Sequence, residues 1–136
     1  MPATLLLIDD NAIQAATRQT ILRRSGYFVI VTLSPERALE QLRSNAFPTP
    51  VDLIVTDHIM PGLNGVEFIT AVREFAPDIP VLVISGMAEA EDEYAALNVH
   101  FRLKPLMPDQ LLSTVSSLIS STATVDDADP VSTQIN

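Results

Sequence analysis

Apolar residues fall into short runs along the chain, and the segments between these runs carry apolar positions at helical spacing. The runs cover residues 5–8, 27–33, 53–55, 81–84 and 99–103 and consist mostly of leucine and β-branched residues. Short continuous runs of this kind are typical of strands that are buried on both faces. Because strands and helices alternate, we predict an α/β fold of (βα)5 type, with a parallel sheet covered on both sides.

Capping residues mark the predicted helix boundaries. Three helices begin after a side chain that can accept a hydrogen bond from the first turn, namely Asn11, Ser34 and Asn64. Gln14 and Glu67 stand three residues after the first and third of these, which is the spacing of a capping box. The fourth predicted helix is short, at about 88–97, with Asn98 as a left-handed cap, and the fifth begins at Pro108.

These five units occupy residues 1–121, which we predict to form one domain. Residues 122–136 carry charge and a proline without apolar periodicity. Such a composition does not support a packed core, so we predict a polar, acidic and disordered tail or linker.

The chain is acidic, with 17 Asp and Glu against 8 Lys and Arg and a formal net charge of −9. Because a nucleic-acid backbone is bound by clustered basic residues, we predict no direct contact of this domain with nucleic acid. No apolar run is long enough to span a membrane, and no basic segment precedes the first run, so we predict a cytoplasmic protein without membrane contact. The chain contains no cysteine and only 2 histidines, which argues against a disulfide or a zinc site.

Polar side chains stand at the carboxyl ends of four predicted strands, and these ends meet at one edge of a parallel sheet. They are Asp9, Asp10, Asp57, Ser85 and Lys104. Neighbouring carboxylates repel one another unless a cation lies among them, and hard oxygen ligands suit Mg²⁺. An aspartate can also act as a nucleophile toward phosphorus while a lysine neutralises charge. Asp57, alone at the end of the central strand, is the best candidate for that nucleophile.

At these residues the sequence resembles the receiver domain of two-component response regulators, over about residues 3–121. The resemblance rests on four ordered motifs, LLLIDDN at 5–11, DHIMPGLNG at 57–65, ISG at 84–86 and KPL at 104–106. It implies a doubly wound, flavodoxin-like three-layer sandwich with sheet order 2-1-3-4-5. It also implies that a sensor histidine kinase or a histidine phosphotransfer protein donates a phosphoryl group. Phosphorylation would then alter the binding of a downstream protein through the region of the fourth predicted helix (the helix 4 region).

The same resemblance implies roles for individual residues. Asp57 resembles the phosphoacceptor, and Lys104 and Ser85 match the residues that contact the phosphoryl group. Ser85 and Phe101 match the family's pair of switch residues. The implied Mg²⁺ ligands are Asp10 directly, Asp9 through water, Asp57 and the backbone carbonyl of Ile59.

Some surfaces depart from the family's pattern. The fourth predicted helix is about a turn short and acidic, and the fifth carries no cation, so we predict a monomer or weak dimer rather than a charge-paired dimer on that face. Arginines of the first two helices, Arg18 among them, are interpreted either as a solvated basic face or as a surface that steers an acidic helical partner. Apolar Ile59 and Met87 flank the expected path of attacking water, which predicts slow self-dephosphorylation.

Other functions require residues that this sequence does not have in the necessary arrangement. The resemblance implies a signalling domain that catalyses only its own phosphorylation and dephosphorylation, not a metabolic enzyme. An aspartyl phosphatase of the haloacid-dehalogenase kind needs two aspartates separated by one residue, whereas Asp9 and Asp10 are adjacent. A nucleotide or flavin site needs a glycine-rich loop after the first strand, and no glycine stands there in this sequence. The alternative that stays open is a receiver-like interaction module that works without phosphorylation.

Overall fold

The computed structural model describes residues 2–60 and 62–127, with side chains described as far as residue 120. Its centre is a sheet of five parallel strands in the order β2-β1-β3-β4-β5. The strands are β1 Thr4–Ile8, β2 Phe28–Thr32, β3 Leu53–Asp57, β4 Val81–Ser85 and β5 His100–Leu103. The predicted parallel sheet and its strand order are therefore confirmed.

Helices cover both faces of the sheet, as predicted for a three-layer sandwich. They are α1 Ala12–Arg24, α2 Pro35–Arg43, α3 Gly65–Phe75, the 3-10 helix η1 Ala88–Tyr94 and α4 Pro108–Asp127. Side chains alternate along β1, so Leu5 and Leu7 pack toward α1 and α4 while Leu6 and Ile8 pack toward α2 and α3. All four are fully buried.

The fourth predicted helix differs from the structure in type and length. It is the 3-10 helix η1, which ends at Tyr94, and Asn98 follows with a φ of 55°, the left-handed conformation that the sequence predicted. Met87 precedes η1 without a side-chain cap. Acidic residues also stand four apart within it, as Glu89 and Glu93 do, and like charges at this spacing disfavour an α-helix.

The last helix, α4, is the fifth predicted helix and runs further than expected. It continues through residues 122–127, where the sequence predicted the start of a tail. The first helix-breaking residue after Pro108 is Pro130, so nothing in the sequence forces an earlier end. The rest of the predicted tail, 128–136, lies outside the described residues. Across the described part of the chain, no helix has both the length and the apolar character needed to cross a membrane.

Two of the predicted helix starts are confirmed in full. Asn64 Oδ1 accepts a hydrogen bond from the Glu67 amide at 2.9 Å, and Glu67 Oε1 accepts one from the Asn64 amide at 3.0 Å, which completes a capping box. At α2, Ser34 Oγ accepts a hydrogen bond from the Arg37 amide at 3.2 Å. These caps fix where α2 and α3 begin, close to the carboxyl ends of β2 and β3.

Candidate functional site

Three carboxylates meet at the carboxyl end of the sheet. Asp9 is fully buried and Asp57 is 3% exposed, whereas Asp10 faces solvent. Each contributes one oxygen to a group in which all three oxygens lie within 4.8 Å of one another. A set of hard oxygen donors with one member in solvent fits a divalent cation that keeps part of its water shell, as Mg²⁺ does.

Lys104 supplies a positive charge to this group from the end of β5. Its Nζ lies 3.3 Å from Asp57 Oδ1, and its side chain is about one-third exposed. The backbone amide of Lys104 donates a hydrogen bond to the carbonyl of Ser85 at 2.8 Å, which ties the ends of β4 and β5 together. The Lys104–Pro105 peptide bond is cis. The structure thus brings Lys104 and Asp57 together, as the sequence predicted for residues at adjoining strand ends.

The environment of Asp57 disfavours its ionised form. The pKa of Asp57 is raised from 3.8 to about 6, because burial, a hydrogen bond with Asp9 and the Asp9 charge together outweigh the lowering effect of Arg18 and Lys104. Near neutral pH the carboxylate is still mostly ionised. It therefore retains the negative charge that makes its oxygens nucleophilic.

Ser85 and Phe101 lie on the β4 and β5 side of the site. Ile84, the residue before Ser85, is the register partner of Asp57. Ser85 is buried, and its Oγ accepts a hydrogen bond from the Met87 amide at 2.9 Å, which holds the loop that leads into η1. Phe101 is half-buried, with its ring centre 6.0 Å from that of Tyr94 in η1.

Apolar side chains stand at the rim of the site, next to these polar groups. The side chain of Ile59, two residues after Asp57, is 65% exposed, and Met87 is 36% exposed. Apolar side chains offer no hydrogen-bond partner to a water molecule.

Two residues of α1 enter the site in a way that the sequence analysis missed. Arg18 Nη1 lies 3.3 Å from Asp9 Oδ2 and 3.2 Å from Asp57 Oδ1, and Arg18 is only 9% exposed. Both interpretations of Arg18 as an exposed basic residue are therefore wrong. A buried carboxylate pair draws the guanidinium inward, because two like charges out of water need an opposite charge.

Gln14 also points into the site, so the first predicted capping box forms only in part. Asn11 Oδ1 accepts the Gln14 amide at 2.9 Å, as predicted, but Gln14 Nε2 donates to Asp9 Oδ2 at 2.6 Å and to Asp57 Oδ2 at 3.0 Å. The Asn11 amide donates to Asp9 Oδ1 instead, at 2.9 Å. Gln14 and Arg18 are four apart on the helix that starts just after Asp10, and that spacing was the signal that could have identified them.

A buried hydrogen bond lies behind the site, between His58 and Tyr94. His58 Nδ1 is 2.7 Å from the Tyr94 hydroxyl, and both residues are buried. A Cβ on Gly65 would collide with that hydroxyl and would lie 3.0 Å from the Asp57 carbonyl oxygen. The position of Gly65 at the start of α3 therefore requires a residue without a side chain.

The geometry and the sequence point to the same family. The family model for the response regulator receiver domain matches residues 5–116. The chain belongs to the response regulator receiver family. It is 37% identical over 124 residues to the hydrogenase transcriptional regulatory protein HoxA of Cupriavidus necator, covering 88% of this chain and 24% of the relative. It is 30% identical to the transcriptional regulatory protein ZraR of Escherichia coli, covering 95% of this chain and 29% of the relative.

Solved structures agree with this assignment. A response regulator receiver protein from Sinorhizobium medicae matches with a TM-score of 0.75 and 30% identity, covering 88% of this chain and 96% of that one. The receiver domain thus spans about a quarter of the length of the curated regulators named above. Membership of the family makes this chain a two-component phosphoacceptor domain, a signalling module and not a classical enzyme. The interaction module that works without phosphorylation is not favoured.

Proposed function

We propose that Asp57 is the residue of this receiver that accepts the phosphoryl group, and that the donor is the phosphohistidine of a sensor histidine kinase or a histidine phosphotransfer protein. One observation carries the proposal. The buried Asp57 carboxylate stands at the end of β3 with Lys104 Nζ 3.3 Å from its Oδ1, inside a group of three carboxylates. An anionic nucleophile beside a lysine and a cation site is the arrangement that phosphoryl transfer requires.

The transfer is a single displacement at phosphorus. An Oδ of Asp57 forms a P–O bond while the P–N bond of the donor breaks, and the leaving imidazole nitrogen takes up a proton. The transition state is loose and spreads negative charge over the phosphoryl oxygens, so catalysis depends on positioning and on opposite charge. Lys104 is placed to offset that charge. Ser85 Oγ donates a long hydrogen bond to the Met87 carbonyl, at 3.5 Å, and can donate to a phosphoryl oxygen in its place.

The donor set fits Mg²⁺, and we propose that this ion is the cofactor. Asp9, Asp10, Asp57 and the backbone carbonyl of Ile59 would hold it, with Asp9 acting through water. When bound, the ion neutralises the charge that gathers on the phosphoryl oxygens and on the carboxylates.

Ser85 and Phe101 are proposed to transmit the phosphorylated state to η1. Ser85 holds the loop before η1, because its Oγ accepts a hydrogen bond from the Met87 amide. The Ser85 hydroxyl also donates a long hydrogen bond to the Met87 carbonyl, at 3.5 Å. A phosphoryl oxygen that accepts from this hydroxyl takes that bond away and loosens the loop, and Phe101 can then repack against Tyr94. The domain thereby shifts between two populations that present different surfaces to a downstream protein.

The remaining properties are also proposals. Ile59 and Met87 limit the approach of water, so self-dephosphorylation, which this domain is proposed to catalyse, is slow. The domain acts in the cytoplasm as a monomer or weak dimer, without binding a membrane or contacting nucleic acid through its own surface. HoxA and ZraR are transcriptional regulatory proteins, and this chain matches 24% and 29% of their respective lengths.

Mass spectrometry tests the assignment of Asp57. The wild type, Asp57→Asn and the control Asp78→Asn are incubated with a small acyl phosphate and Mg²⁺. Asp78 is exposed and lies in the loop before β4, at the opposite edge of the sheet. We expect the mass of one phosphoryl group on the wild type and on Asp78→Asn only. An equal adduct on Asp57→Asn, or none on the wild type, would contradict the proposal.

A further inference from the structure

Arg18 occupies the place in this site where a cation is needed. A single nitrogen, Nη1, contacts Asp9 Oδ2 at 3.3 Å and Asp57 Oδ1 at 3.2 Å. Gln14, one turn earlier, binds the same two carboxylates through Nε2. Two of the three carboxylates in the cluster are therefore already bridged by α1 of the same chain.

The position of Arg18 on α1 keeps its charge close to the carboxylates. Arg18 lies on the buried stripe of α1 with Ala15 and Leu22, and it also lines an open cleft beside Gln14 and Lys104, which gives its head room to move off the carboxylates. The guanidinium of an arginine carries a fixed positive charge. It is thus a permanent positive charge, whereas the occupancy of a metal ion depends on its concentration.

A divalent ion and this guanidinium need the same negative charge. The oxygens Asp9 Oδ2 and Asp57 Oδ1 are both within 3.3 Å of Arg18 Nη1. Two cations a few ångströms apart inside a protein repel each other strongly. We propose that Arg18 is an internal counter-ion that competes with Mg²⁺ for Asp9 and Asp57, leaves them when the ion binds, and so sets the metal affinity of the site.

This inference rests on the proposed function, because it takes Asp9 and Asp57 to be metal-site residues. It goes further in assigning a role to α1, and it predicts the sign of the effect. Removal of Arg18 strengthens Mg²⁺ binding, whereas a residue that merely organised the carboxylates would weaken it when removed.

Calorimetric titration with Mg²⁺ alone distinguishes these outcomes. The wild type is compared with Arg18→Met, which keeps most of the side-chain length and removes the charge. The matched control is Arg23→Met, because Arg23 is exposed on the same helix. We expect the Kd for Mg²⁺ to fall about tenfold in Arg18→Met and to stay unchanged in Arg23→Met. An unchanged or higher Kd in Arg18→Met overturns the inference.

A second measurement needs no variant to fold. In the wild type, the side-chain ¹⁵N resonances of Arg18 are expected to shift when Mg²⁺ saturates the site, while those of Arg23 stay in place. Arg18 resonances that do not move at saturation also overturn the inference.

The result is separable from the proposed function. If the wild type is phosphorylated on Asp57 and its Mg²⁺ affinity does not respond to Arg18→Met, only the counter-ion inference is wrong. If no variant binds Mg²⁺, the inference and the proposed cofactor are both wrong.

Discussion

Replacing Asp57 with Asn is expected to stabilise the metal-free domain at neutral pH. Burial, together with the hydrogen bond and charge of Asp9, raises the pKa of Asp57 from 3.8 to about 6 in the folded state. Ionisation of Asp57 is therefore less favourable in the folded state than in the unfolded chain. Asparagine has nearly the same shape and carries no charge, so the variant avoids this cost.

The sign and the size follow from proton linkage. Below about pH 4, Asp57 is protonated in both states and has no effect. Between pH 4 and pH 6 the folded state binds more protons, so the free energy of unfolding falls as pH rises, and above pH 6 the loss is complete. Each pH unit between the two pKa values is worth about 1.4 kcal/mol, so the full loss is about 3 kcal/mol.

Urea denaturation from pH 4 to pH 8 in the presence of a chelator measures this effect. The quantity is the free energy of unfolding of Asp57→Asn minus that of the wild type. We expect a difference near zero at pH 4 that grows to about 3 kcal/mol at pH 7.5. Asp10→Asn removes the same charge from an exposed position and serves as the control, with little change expected. A difference that does not vary with pH would refute the reasoning.

Three further predictions concern the surroundings of the site. Tyr94→Phe leaves the buried His58 nitrogen without its partner and should lower the free energy of unfolding, measured by urea denaturation, by about 2 kcal/mol. An unchanged free energy of unfolding would show that this hydrogen bond does not stabilise the fold. Gly65→Ala should cost about 2 kcal/mol through overlap with the Tyr94 hydroxyl, and less in a Tyr94→Phe background; equal costs in both backgrounds would exclude that clash as the cause. Ile59→Asn should make loss of the phosphoryl group severalfold faster, as measured by a mass-spectrometric time course. A wild-type half-life of only seconds would show that Ile59 does not shield the phosphoryl group from water.

The fold was predictable because its signals are local and repeated. Runs such as 53–55 are too short and too apolar for a surface helix, and Asn64 with Glu67 marks a helix start wherever it stands before an apolar stripe. The positions of Asp57 and Lys104 at strand ends were enough to predict that their side chains lie close together. Sheet order followed from the family resemblance and is confirmed by the strand register.

The missed features depend on competition between partners that are distant in sequence. The side chain of Gln14 could bind the Asn11 amide or the buried carboxylates. Only the folded structure shows that it donates to Asp9 and Asp57. Arg18 looks like any solvated arginine until the burial of those carboxylates is known. The 3-10 form of η1 was also not predicted, because its buried residues Ala90 and Tyr94 are four apart, a spacing that an α-helix would share.

The hydroxyl of Tyr94 gives two distant parts of the receiver a common neighbour. It contacts His58 directly and leaves no room for a Cβ on Gly65, while the ring of the same residue faces Phe101 on β5. The peptide that carries Asp57 and the surface formed by η1 and β5 are thus separated by one side chain. Because a packed interior rearranges in discrete steps, a partner that displaces Tyr94 from outside also opens space directly behind Asp57.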